Sequence, residues 1–221
     1  MVSFISRFLA LQISTDLDFK LVKNLDKVPT KYITIKDKYI DLICIAGGVT
    51  SPNSQYSRTE FREVNENGNN KYWDSDIPIK TMYGRLSVIK LPIIKKSVMF
   101  SQIKSRTHGA PLMMFLKDSR VYMVCNTDNF KKRQDIDLNY SLGDIITFKY
   151  TVSKGKVSIE YRRNNLKQVK IEYNMEFKSV YFKVGNYMQS KSPPEPKENT
   201  SIVRIYNVQI SDNNVTTKSK C

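Results

Sequence analysis

A chain of 221 residues that is 40% hydrophobic, 11% aromatic and 26% charged, with 8 Gly and 8 Pro, excludes a disordered, collagen-like or low-complexity polymer. At this length one hydrophobic core forms without disulfide or metal staples. Thirty-six Lys and Arg against 21 Asp and Glu give +15, and the stretch from Lys80 to Arg133 holds 12 basic and 2 acidic residues, a field that attracts polyanions.

Along the chain, the apolar stretch Phe4–Ile13 predicts a helix, with a second helical pattern at Asp16–Leu25. Arg7 interrupts the first stretch, which lacks the long apolar core and small-residue cleavage site of a secretory signal. From there strand patterns dominate, as short β-branched and aromatic runs between turn residues. They cover Lys31–Ile35, Leu42–Ile45, Tyr56–Val64, Thr81–Leu91, Val98–Ser105, Leu112–Lys117, Val121–Asn126, Ile145–Thr151, Lys156–Tyr161, Gln168–Tyr173, Ser179–Tyr187 and Ser201–Ser211. Many short strands at this spacing predict an all-β sandwich or barrel in one domain. The longest dense apolar patch, Leu42–Ala46, is far too short to cross a bilayer as a helix.

Metal and thiol chemistry find little support. Cys44, Cys125 and Cys221 lack metal-ligand spacing, and the first two sit in apolar surroundings as small hydrophobes. His108 is the single histidine, so a zinc site built on imidazoles is excluded; its turn-like context reads as a loop position. Asn139, Asn199 and Asn214 match the glycosylation acceptor pattern, which arises often by chance.

Three strands carry polar residues at alternate positions, where they share one face of a sheet. In the first, Arg58, Glu60 and Arg62 project together. In the second, Gln102 and Lys104 do so with Ile103 opposite. In the third, Tyr181, Lys183, Tyr187 and Gln189 line one side while Phe182, Val184 and Met188 point inward. An ordinary solvated face with Arg–Glu pairs accounts for any one of these segments, but less easily for three. Together they predict a concave surface of Arg, Gln, Lys and Tyr suited to carboxylates, which arginine holds in a bidentate fork.

These segments resemble the alginate lyases of polysaccharide lyase family 7 and related jelly-roll polyuronate lyases such as glucuronan lyases. The family's Arg-Ser/Thr-Glu-Leu-Arg block is matched by Arg58-Thr59-Glu60-Phe61-Arg62, and its Gln-Ile-His by Gln102-Ile103-Lys104. Its Tyr-Phe-Lys-Ala-Gly-x-Tyr-x-Gln block is matched by Tyr181 to Gln189. The third block is the specific one; the first two alone carry little weight. The resemblance covers roughly residues 40–211 and implies a single-domain β-sandwich jelly roll with a concave polar cleft; the expected bounds are 31–212 for that domain, 1–30 for an N-terminal extension and 213–221 for a tail. It also implies β-elimination on an acidic polyuronate. Arg58 and Gln102 would neutralise the carboxylate and Tyr187 would protonate the leaving oxygen and take up the C5 proton. Glu60 would orient the arginines, and Arg62, Tyr181, Lys183 and Gln189 would bind neighbouring sugars.

A tyrosine, titrating ordinarily near ~10, serves as a base only where cations favour the phenolate, and Arg58, Lys104 and Lys183 are the candidates. Lys104 departs from the family histidine. To act as a base it needs a drop of roughly three units from ~10.4. Left charged, it adds to carboxylate neutralisation and leaves Tyr187 as both base and acid. That second arrangement fits syn elimination, as on mannuronate- or glucuronate-type polymers. A third outcome is a non-catalytic binder of acidic glycans on the same fold. The chemistry requires no cofactor and no metal. The expected partner is an acidic polysaccharide, with no membrane and no nucleic acid: the run Lys131-Lys132-Arg133 offers phosphate contacts, but no nucleic-acid module accompanies it.

Overall fold

The computed structural model describes residues 5, 9–52, 54–107, 109–128 and 130–212. His108, Asn214 and Cys221, and with them the tail 213–221, lie outside the described residues. Among the described residues the strands are β1 (Leu9–Ser14), β2 (Phe19–Val22), β3 (Ile33–Lys36), β4 (Tyr39–Ile45), β5 (Arg58–Glu63), β6 (Lys80–Lys90), β7 (Ser97–Ser105) and β8 (Leu112–Lys117). They continue with β9 (Arg120–Thr127), β10 (Phe130–Asp137), β11 (Ile146–Ser153), β12 (Lys156–Arg163), β13 (Val169–Asn174), β14 (Val180–Met188) and β15 (Thr200–Asp212).

They form two antiparallel sheets, ordered β10-β9-β8-β7-β14-β5-β1-β2 and β13-β12-β11-β6-β15-β4-β3. The two sheets enclose a continuous core of side chains such as Leu11, Ile40, Leu42, Phe61, Phe100, Phe148, Tyr150, Phe182 and Val203, a β-sandwich jelly roll. Strands β11 and β12 alternate buried and more exposed residues, as expected of a sheet with one face in the core. The adjacent strands β7, β14 and β5 break that rule, because nearly every residue on them is buried on both faces. They are the three strands whose alternating polar residues stood out in the sequence.

Three segments correct the sequence reading. The helix expected at Phe4–Ile13 is a strand from Leu9 onward, with Leu11 and Ile13 in the core and β1 paired to both β5 and β2. A short apolar run fits either period, and pairing to β5 decides it. The second helical pattern resolves into β2 and a single 3-10 turn at Leu25–Lys27. Residues 9–22, read as an extension, are thus part of the sandwich. Strand β10 was missed because Phe130–Asp137 is a mostly polar edge strand that reads as a charge run.

The sheets are pinned by buried polar groups as well as apolar ones. Asn186 of β14 donates to the carbonyls of Leu42 (2.9 Å) and Ser201 (2.8 Å) in the opposite sheet, and Ser201 Oγ donates back to Asn186 Oδ1. On β5, Glu63 points into the core, where it accepts from Trp73 Nε1 (2.9 Å) and the Phe182 amide (3.1 Å) and pairs with buried Lys80 (2.7 Å). Such groups are costly to bury unless partnered, so they favour this one alignment of the sheets. Cys44 and Cys125 are buried thiols, each pushed up to about 12 by burial. Asn199 is buried against Glu195, a poor position for a glycan.

Candidate active site

Strand register brings the three polar segments into one patch. Arg62 lies opposite Lys183, which lies opposite Gln102; Glu60 faces Gly185, Arg58 faces Tyr187, and Tyr181 faces Lys104. At Gly185 the small residue is required. Its φ is +146°, and a Cβ there would stand 2.9 Å from Glu60 Cα and 3.0 Å from the Thr59 carbonyl. Between Val184 and Tyr187 the pairing to β7 shifts register, a bulge that aims the side chains at the end of β14.

The centre of the patch is the Glu60 carboxylate, which has no solvent exposure. Gln102 Nε2 donates to its Oε1 at 2.7 Å, Lys183 Nζ sits 2.5 Å from Oε2, and Arg58 Nη1 approaches Oε2 at 3.8 Å. Lys183 is only 1% exposed. Burial drives its ammonium down to about 7 even though the Glu60 charge works against that shift. Lys183 was expected to contact sugars; its ammonium instead faces Glu60 beneath the surface of the patch.

Around this centre two arginine–tyrosine stacks stand side by side. The Arg58 guanidinium lies 3.9 Å from the centroid of the Tyr187 ring, and the Arg62 guanidinium 3.7 Å from that of Tyr181. Arg62 Nε and Nη2 and Arg58 Nε are buried donors with no hydrogen-bond acceptor among the described residues. Buried guanidinium donors without an acceptor carry a desolvation cost. Of the three cations considered for Tyr187, Arg58 is the one stacked on it. Lys104 pairs across to the far end of β14, at Tyr181.

Lys104 is half-buried, and its Nζ donates to the Ser105 carbonyl at 2.9 Å. Burial first, then the Arg58 and Arg62 charges, hold it below the ordinary lysine range, the direction a lysine base needs. Gln189 follows β14 and turns back to donate to the Tyr187 carbonyl at 3.1 Å.

Loops add residues that sequence reasoning missed. Ser54 Oγ lies 2.8 Å from Tyr187 Oη and accepts from Arg58 Nη2 at 2.9 Å. Tyr56 meets the Tyr187 ring edge-on at 6.2 Å, and Lys95 Nζ donates to the Tyr56 hydroxyl at 3.1 Å. Tyr72 packs edge-on against Tyr181 at 5.6 Å. Ser54 and Tyr56 continue the alternation of Arg58, Glu60 and Arg62 toward the N-terminus, a signal the sequence reading passed over, whereas Tyr72 and Lys95 follow no strand period.

Comparison with known proteins fits this geometry. A family model described as alginate lyase matches residues 13–212. The chain belongs to the alginate lyase family. Among solved structures it is similar to the alginate lyase AlgAT5 from polysaccharide lyase family 7, with a TM-score of 0.82 and 24% identity over 94% of this chain and 96% of that one. An alginate lyase from Corynebacterium sp. gives 0.77 and 22% identity, covering 92% of each chain. A substituted family 7 alginate lyase, A1-II', in complex with substrate (GGMG), gives 0.78 and 18% over 93% of this chain and 92% of that one. At these identities the likeness establishes the jelly-roll fold. A search of curated protein sequences returns no significant match. As a member of this family the chain is a polysaccharide lyase by descent, and its patch occupies the middle of one sheet.

Proposed function

We propose that this alginate lyase relative cleaves a mannuronate- or glucuronate-containing polyuronate by β-elimination, with Tyr187 as acid and base. The observation that carries the reading is the stacking of Arg58 on Tyr187 beside the Gln102–Glu60–Lys183 network. A uronate C5 proton lies next to a carboxylate whose charge opposes carbanion formation. Arg58 and Gln102 neutralise that carboxylate, placing donors where charge develops. Tyr187 takes the C5 proton, the electron pair becomes the C4–C5 double bond, the C4–O4 bond breaks, and O4 leaves with a proton from the tyrosine.

Glu60 fixes Gln102 and Arg58, and Lys183 Nζ faces Glu60 Oε2 in its buried position. Arg62 and Tyr181 hold an adjacent uronate, with Gln189 at the other end of β14. Lys104 remains charged and adds to neutralisation, so one residue, Tyr187, handles both proton transfers on the same face of the sugar. The proposal therefore favours the syn case over the anti case typified by guluronate.

The test is ultraviolet absorbance of the unsaturated product on polymannuronate, glucuronan and polyguluronate, with Tyr187→Phe as the control. Product on the first two, lost in the control while the fold persists, is the expected result; turnover that survives Tyr187→Phe would sink the tyrosine mechanism. Lys104 in place of the family histidine favours a second reading, a glycan-binding protein. Binding without product on any polymer selects it.

A further inference from the structure

The loop before β5 places one hydroxyl between the two groups on which the proposed chemistry depends. Ser54 is tied down locally: its amide donates to the Ser51 carbonyl at 2.9 Å, and Thr50 Oγ1 donates to its carbonyl at 2.7 Å. Its hydroxyl meets four neighbours. It accepts from Arg58 Nη2 at 2.9 Å and from the Tyr56 amide at 3.2 Å. It donates to the Tyr56 carbonyl at 3.1 Å and lies 2.8 Å from Tyr187 Oη, where either oxygen can be the donor.

A serine hydroxyl has two acceptor lone pairs and one proton. Arg58 and the Tyr56 amide occupy the lone pairs, so the one proton of Ser54 is divided between the Tyr56 carbonyl and the Tyr187 oxygen. Its nearest acceptor is the Tyr187 oxygen. A hydroxyl that accepts from a guanidinium is a stronger donor for it, since hydrogen bonds in a chain polarise one another. With Ser54 donating to it, the Tyr187 hydroxyl proton is turned away from the loop.

We propose that Ser54 is a positioning residue that donates to the Tyr187 oxygen and, backed by Arg58, favours the tyrosinate that removes the C5 proton. This rests on the reading of Tyr187 as acid and base. The serine proton stays on Ser54 throughout. The proton taken from C5 resides on Tyr187 until it passes to O4, so the balance of the elimination is unchanged.

The test compares Ser54→Ala and Ser54→Thr with the unaltered protein by two readouts. A hydrogen bond to a charged group is worth roughly tenfold to a hundredfold in rate, so Ser54→Ala lowers kcat by that factor at neutral pH. KM stays within about twofold, because the interaction is made with the enzyme's own base rather than with the sugar. The rising limb of the pH–rate profile moves to higher pH by about one unit. Ser54→Thr keeps the hydroxyl and restores both rate and profile. The second readout needs no turnover: carbon-13-labelled tyrosine NMR, with the Tyr187 signal assigned by its loss in Tyr187→Phe. The Tyr187 signal ionises at higher pH in Ser54→Ala than in the unaltered protein.

An unchanged NMR titration in Ser54→Ala overturns the inference, as does an equal loss of activity in both variants with an unmoved pH profile. If no polymer is cleaved yet the NMR titration moves, the Ser54–Tyr187 coupling stands and the lyase reading falls.

Discussion

Glu60 has no route to solvent, and its two oxygens are divided between Gln102 on one side and Lys183 with Arg58 on the other. Removing one partner from such a buried pair leaves an uncompensated charge, which costs far more than the pair itself contributes. Lys183→Met is therefore expected to destabilise the fold by about 3 kcal/mol, read from urea unfolding midpoints below pH 7, where Lys183 carries its charge. Adding Glu60→Gln removes the stranded charge and recovers a large part of that loss. If the double variant is as unstable as the single one, Lys183 acts through packing rather than through Glu60.

The functional patch depends on where β7, β14 and β5 sit, side by side and away from either edge of their sheet. Gly185 permits a close approach between β14 and the backbone of β5. A Cβ at φ +146° is both strained and too close to Glu60. Gly185→Ala is expected to cost about 2–3 kcal/mol, from strain and overpacking together. The expected result is a lowered thermal midpoint together with lost cleavage, since the displaced atom is Glu60 Cα; an unaltered midpoint would show that β5 yields freely. The three polar strands were legible in the sequence because Arg58-Glu60-Arg62, Gln102-Lys104 and Tyr181-Lys183-Tyr187 keep the strand period where hydrophobes are usual. The neighbours Tyr72 and Lys95 were not legible, since loop residues reach the site through turns that leave no periodic trace, whereas Ser54 and Tyr56 lie on the same alternation as Arg58 and were passed over. Leu9–Ser14 failed for a different reason: its apolar spacing satisfies helix and strand alike, and only the edge of β5 selects between them.

Across the whole molecule, buried titratable groups pull stability in opposite directions with pH. Lys183 is held down to about 7 by burial, against ~10.4 in an unfolded chain. Between those values the unfolded chain binds a proton that the folded chain has released, so stability rises with pH. Lys104, lowered by burial and by Arg58 and Arg62, acts in the same sense. Cys44 and Cys125 oppose it. Burial pushes both up to about 12, so above ~8.5 the folded chain retains protons that the unfolded chain loses, and stability falls. Tyr140, Tyr150 and Tyr161, all raised by burial, steepen that fall above ~10. The expected stability curve climbs from neutral pH and turns over above ~8.5, measured as urea midpoints across that range. In the Lys183→Met, Glu60→Gln double variant the climb should flatten while the alkaline decline persists. A climb of unchanged slope there would assign the released proton to a group other than Lys183, with Lys104 the next to test.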